Sequence, residues 1–194
     1  MSKDVLHLPQ MLLIGSTGRN SGKTTLASAF ISKWKKSFSV IGLKVTTVKE
    51  REGKCPRGGE GCGVCGSLNA SYEIIEETNL DTGKDTSLLL KAGAHKVFWL
   101  KTLESHIFEG IKDFMSRIPE GSLIVCESNS LRKVVNPGCF IMLSNTRDGA
   151  VKDSAGEVMH KADIVIEDDF INDIGLIITR VEVDLGKVKI NQGV

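Results

Sequence analysis

Net charge is the first thing this chain lacks. Lysine and arginine number 25 against 24 aspartates and glutamates, and a balance of +1 supplies no basic field for a nucleic acid. Long apolar runs are missing as well. None approaches the roughly 20 residues that span a bilayer, so no membrane segment is expected. The opening MSKDVLHLPQ carries an acid, bases and a proline before any apolar stretch, and does not read as a signal peptide. Repeats, low-complexity linkers and domain boundaries are absent too. What remains is a globular composition, 41% hydrophobic and 25% charged, at a length of 194 residues that buries one core without disulfide staples. The expectation is one cytoplasmic domain over 1–194, binding neither nucleic acid nor membrane.

Apolar patterning alternates between two periods. Short apolar runs at 11–15, 39–45, 96–102, 122–127, 139–145, 162–168 and 176–184 read as strands, several of them apolar on both faces. Helical spacing appears at 22–35, through Leu26, Phe30, Ile31 and Trp34, and over 103–118, where Leu103, Ile107, Phe108, Ile111, Phe114, Met115 and Ile118 share a face. Two further helices are expected near 69–78 and 84–93. Strands alternating with helices predict a three-layer α/β domain, a P-loop NTPase fold with a mostly parallel sheet. From about 50 to 68 the periodicity stops. Six of the fourteen residues from Gly53 to Gly66 are glycine, so this stretch reads as an insertion that cannot fold by burial.

GSTGRNSGKTTL (15–26) lies between the first strand and the first helix. A glycine-rich turn there converges backbone N–H groups on an anion, and the helix dipole adds to them. Gly18, Asn20, Ser21, Gly22, Lys23, Thr24 and Thr25 form the expected phosphate cradle, with Lys23 reaching the β/γ-phosphates and the Thr24 hydroxyl on Mg²⁺. The G-x-x-x-x-G-K-[ST] spacing would put its first glycine at Thr17; Gly15 and Gly18 stand nearby instead. Glu127, ending a buried strand, takes the place of an acid that holds Mg²⁺ or orients an attacking water. Asp85 in GKDT is a second acidic candidate, or a helix N-terminal acid complementing the dipole. Lys44, near the end of the second strand, is a further phosphate contact. NTRD (145–148) follows a strand where GTPases carry N-K-x-D. Asn145 and Asp148 would then read guanine, the plainer alternative being a polar turn. GTP is favoured over ATP.

Five cysteines is an odd count, and Cys55, Cys62 and Cys65 are spaced C-x6-C-x2-C. Such a cluster in a reducing compartment reads as a Zn²⁺ knuckle first and an Fe–S cluster second. A redox thiol pair and free thiols are the other readings. Cys126, Cys139, His95, a second chain or an exogenous group stand open as fourth ligand. Cys126 and Cys139 lie in apolar runs and read as buried thiols, while His106 and His160 read as surface or packing residues.

Several segments together resemble the MobB-type proteins, the P-loop adaptors of molybdopterin-guanine dinucleotide biosynthesis. Gly18 to Leu26 matches their G-x-x-x-S-G-K-T-T-L loop. GLKVTTV keeps the lysine of their second strand at Lys44 without its histidines, and GKDTSLLLKAGA (83–94) matches G-K-D-[ST]…K/R-A-G-A; where their acidic strand ends in V-E-G, this chain has Val125, Cys126, Glu127 and then Ser128, with ESNS in place of EG. The match runs through roughly residues 11 to 130. The resemblance implies a cytosolic, often dimeric, weakly hydrolysing GTP-binding protein that assists attachment of a nucleotide to molybdopterin or delivery of the finished cofactor, with a molybdopterin-handling protein as partner. Two other functions compete with it. One is an ATP-dependent small-molecule kinase, for which Arg132 is the residue nominated to close over the phosphates. The other is a metal-binding module switched by nucleotide.

Overall fold

The computed structural model describes residues 5–48, 68, 70–144, 152–167, 170–191 and 193. Its centre is a seven-stranded sheet in the order β3-β4-β2-β5-β1-β6-β7. The strands are β1 (Leu6–Ser16), β2 (Val40–Val48), β3 (Tyr72–Glu77), β4 (Lys96–Leu103), β5 (Leu123–Glu127), β6 (Val135–Leu143) and β7 (Ile164–Ile166). Every neighbouring pair is parallel except β3–β4. Helices α1 (Lys23–Trp34), α2 (Asp85–Lys91), α3 (Ile107–Ser116), α4 (Asp153–Gly156) and α5 (Ile174–Thr179) flank it, and β8 (Val181–Asp184) pairs with β9 (Lys187–Ile190) in a separate hairpin. Among the described residues, no helix is long and apolar enough to cross a membrane.

Parallel strands must be covered on both faces, which is why their sequences run apolar without alternation. Met11 to Ile14 are fully buried, and successive residues feed opposite layers. Leu12 and Ile14 join Leu26, Phe30 and Ile31 of α1, Leu89 of α2 and Ile177 of α5. Met11 and Leu13 join Ile107, Ile111 and Phe114 of α3 with Ala155 of α4. Each of the leucine, isoleucine, phenylalanine and methionine side chains among them contributes about 1.5–3 kcal/mol relative to exposure.

Three expectations needed correction. β1 begins at Leu6, upstream of Pro9, because that stretch pairs only with β6 and the ladder shifts register between Leu8 and Leu12, where a missing N–H is tolerated. Residues 72–77, expected to be helical, form β3, which runs antiparallel along the edge of β4, with Tyr72 and Ile74 packed toward the α3 layer. The run 176–184, expected to close the sheet as one strand, divides into α5 and β8, and β8 stays outside the main sheet.

Candidate functional site

Loops at the carboxyl ends of parallel strands are where an open α/β sheet gathers ligands. β1 stands between β5 and β6, so the loop that leaves it lies beside Glu127 at the end of β5 and beside Leu143 at the end of β6. Thr17 continues the ladder past the strand, donating its N–H to the Leu143 carbonyl at 2.9 Å and accepting from the Lys152 N–H at 3.0 Å. Its φ is not positive, and only 2% of it is exposed. This explains the absent glycine: position 17 needs no positive φ and is clasped on both sides. The left-handed residues come later, at Asn20 (φ 50°) and Gly22 (φ 77°).

Gly22 fixes the start of α1. Its carbonyl accepts the Leu26 N–H at 3.0 Å, and a Cβ there would lie 2.7 Å from Cζ of Phe170, whose ring packs on the loop. α1 has no acidic residue in its first turn and no side-chain cap, so its own sequence leaves the positive end of its dipole uncompensated. Gly18 presents its carbonyl to the Ser16 hydroxyl at 2.9 Å, to the Ser21 hydroxyl at 3.5 Å and to the Lys152 ammonium. Thr25 is exposed on α1.

Lys23 folds back inside the loop, its Nζ donating to Ser16 Oγ at 2.6 Å. Burial lowers its pKa, opposed by nearby Glu127 and reinforced by Lys44. The Thr24 hydroxyl donates to Glu127 Oε2 at 3.3 Å. Glu127 is 3% exposed, and its Oε1 has no hydrogen-bond partner among the described residues. Burial pushes its carboxyl up, while Lys44, the Thr24 hydroxyl and Lys23 pull it down. Buried carboxylate oxygens are normally satisfied. An orphan beside a threonine hydroxyl is a pair of hard oxygen donors, and these two residues fit a divalent cation such as Mg²⁺.

Lys44 lies level with Glu127 in the β2–β5 register, and its ammonium pairs with the Asp85 carboxylate in the first turn of α2. The structure thus joins two sequence candidates to each other, with Asp85 acting on Lys44. Arg132 turns away toward β6: its Nη1 donates to the Val135 carbonyl at 2.9 Å and its guanidinium lies 6.0 Å from the Phe140 ring centroid. Cys126 and Cys139 are buried on opposite faces of the sheet, as their apolar surroundings implied. Burial raises both thiols, Cys139 to about 12. Asn145, Asp148, Cys55, Cys62 and Cys65 lie outside the described residues. Among the described ones, no group of three or more His, Cys, Asp or Glu side chains gathers.

Sequence reasoning missed Ser16, Asn129, Lys152 and Phe170, all of which touch the loop. Only Asn129 left a signal, as the polar ESNS run directly after the acid. Comparison with known proteins finds no matching family model, no matching curated protein and no matching solved structure.

Proposed function

We propose that this chain is a Mg²⁺-dependent nucleotide-binding protein of the P-loop type, a weakly hydrolysing accessory protein of MobB-like character that prefers GTP to ATP. One observation carries the reading. Lys23 and Glu127 are both held where burial disfavours their charged forms, one inside a left-handed glycine loop at a helix N-terminus and the other with a free carboxylate oxygen beside Thr24. A Mg²⁺-triphosphate supplies the missing partner to each, an anion for the ammonium and a cation for the carboxylate. Lys44 sits near enough to influence both groups and adds positive charge at the terminal phosphate. The accessory role is preferred to a kinase because Arg132, the residue nominated to close over the phosphates, is engaged with Val135 and Phe140. Guanine selection by Asn145 and Asp148, a Zn²⁺ or Fe–S knuckle on Cys55, Cys62 and Cys65, a homodimer in the cytoplasm and a molybdopterin-handling partner belong to the same proposal.

Calorimetric titration of GTP and ATP with Mg²⁺ tests it. The unsubstituted chain binds GTP more tightly, and Lys23→Ala weakens both nucleotides by tenfold or more, about the scale of a lost charge-assisted contact. Equal binding by the Lys23→Ala chain sinks the cradle, and tighter ATP binding sinks the guanine preference. Metal analysis of the same sample decides the knuckle: absence of metal with three titratable thiols removes it.

A further inference from the structure

Asn129 is two residues beyond the orphan carboxylate, and its side chain reads the loop backbone on both sides of one residue. Its Oδ1 accepts the Ser16 N–H at 2.8 Å and its Nδ2 donates to the Ser16 carbonyl at 2.9 Å. The amide thereby occupies the place of a neighbouring strand, pairing with Ser16 as backbone would. The same Nδ2 lies 3.3 Å from Ser154 Oγ, on the stretch whose Lys152 clasps Thr17 and Gly18. Gly15 leaves room for this amide, since a Cβ there would stand 2.7 Å from Asn129 Oδ1. Ser16 in turn holds the functional lysine: its hydroxyl accepts from Lys23 Nζ at 2.6 Å and donates to the Gly18 carbonyl at 2.9 Å.

We infer that Asn129 is a positioning residue for the phosphate-binding lysine, fixing Ser16 so that Lys23 and the Gly18 turn keep one geometry relative to Glu127. The inference rests on the proposed nucleotide site and deepens it. The chain of contacts runs from the loop after β5 through the Asn129 amide to the Ser16 backbone, and from the Ser16 hydroxyl to Lys23. Asn129 therefore sets the separation between the group that meets the phosphates and the group that meets the cation. Its two backbone bonds constrain Ser16 in translation and in rotation, which one hydrogen bond would not do. Aspartate is a poor substitute: it keeps the acceptor for the Ser16 N–H but turns the donor into a second oxygen facing the Ser16 carbonyl.

The test is a double-mutant cycle on nucleotide affinity, using Asn129→Ala, Lys23→Ala and the pair, with Mg²⁺-GTP, Mg²⁺-ATP and the unphosphorylated nucleosides as ligands. Asn129→Ala is expected to weaken the triphosphates about tenfold, the scale of a net hydrogen bond between neutral groups, with no change for the nucleosides. In the Lys23→Ala background the same substitution is expected to change nothing further, because the residues act in series. Asn129→Asp, which keeps the side-chain size but sets an oxygen against the Ser16 carbonyl, gives a loss in the same direction and carries the test should the alanine chain not fold. Affinity at the unsubstituted value in Asn129→Asp or Asn129→Ala, with Lys23→Ala impaired, overturns the inference and leaves the nucleotide reading standing. Additive losses in the double mutant overturn it also, since they make Asn129 independent of Lys23. A chain in which Lys23→Ala binds as tightly as the unsubstituted protein removes the reading and the inference together.

Discussion

At the scale of single residues, Glu127 and Gly22 carry the sharpest tests of the proposed site. Burial raises the Glu127 carboxyl above its ordinary value of 4.5, so the folded chain still holds a proton there at a pH where the unfolded chain has released it. Stability at this group therefore falls as pH rises from about 4.5 through the raised folded value, and above that the cost of the desolvated carboxylate is fully present. Lys23 behaves in the mirror sense. Its lowered pKa makes stability rise with pH from the folded value up to 10.5. Two predictions follow from Glu127. Glu127→Gln removes the charged form and is expected to melt no lower than the unsubstituted chain at pH 7.5 in a calorimeter, while Mg²⁺ ceases to enhance its nucleotide affinity. In the unsubstituted chain, Mg²⁺-nucleotide affinity is expected to fall as pH is lowered through the raised value of this carboxyl, which lies above the 4.5 of an ordinary glutamate. A melting point several degrees lower in Glu127→Gln would make the carboxylate a structural partner of Thr24 instead. Gly22→Ala meets two obstacles, a left-handed φ costing about 1–2 kcal/mol and the Phe170 ring 2.7 Å from the new methyl. Urea denaturation is expected to show the sum, and adding Phe170→Ala to relieve only the steric part.

Elements differ in how openly the sequence declares them. α1 and α3 were legible because Leu26, Phe30, Ile31 and Trp34, and then Ile107, Ile111 and Phe114, repeat at helical spacing and are buried as that spacing requires. β5 and the apolar half of β6 were legible as unbroken apolar runs. β3 was not, because Ile74 and Ile75 are adjacent and flanked by glutamates, a pattern that suits a helix face as well as an edge strand open on one side. α5 was hidden by Ile174, Ile177, Ile178 and Thr179, β-branched residues that favour strands in isolation. Tertiary contacts decide it: Ile177 is buried under α1, and Lys33 of α1 donates to the carbonyls of Ile178 at 2.5 Å and Val181 at 3.0 Å, satisfying acceptors at the helix end. Lys33→Met keeps the apolar stem and removes both bonds. With the ammonium partly exposed, the expected loss is about 1 kcal/mol. Hydrogen exchange is expected to speed up over 174–181 while α1 keeps its protection. Unchanged exchange there would mean that Ile177 packing alone holds the helix.

At the scale of the whole molecule, the placement of β1 between β5 and β6 makes one loop the meeting point of distant chain segments. Thr17 bonds Leu143 and Lys152, Asn129 bonds Ser16 and Ser154, and Thr24 bonds Glu127. The motif was readable from 15–26 alone, but the clasps come from residues more than a hundred positions away, and spacing along the chain carries no record of them. A ligand that orders the loop must therefore stabilise all of these segments. At a free Mg²⁺-GTP concentration of 100 times Kd, binding to the folded state alone adds about 2.7 kcal/mol, which raises the melting temperature of a chain of this size by about 5–10 °C. The Lys23→Ala chain is expected to show no more than about half of that rise at the same concentration, since tenfold weaker binding leaves about 1.4 kcal/mol. The distribution of the gain is the sharper measurement. Added hydrogen-exchange protection is expected together over 14–26, 127–131 and 152–156, because the Asn129 and Thr17 bonds make these one cooperative unit. Protection confined to 18–26 would show instead that the glycine turn closes on phosphate by itself, with the strands behind it unmoved by binding.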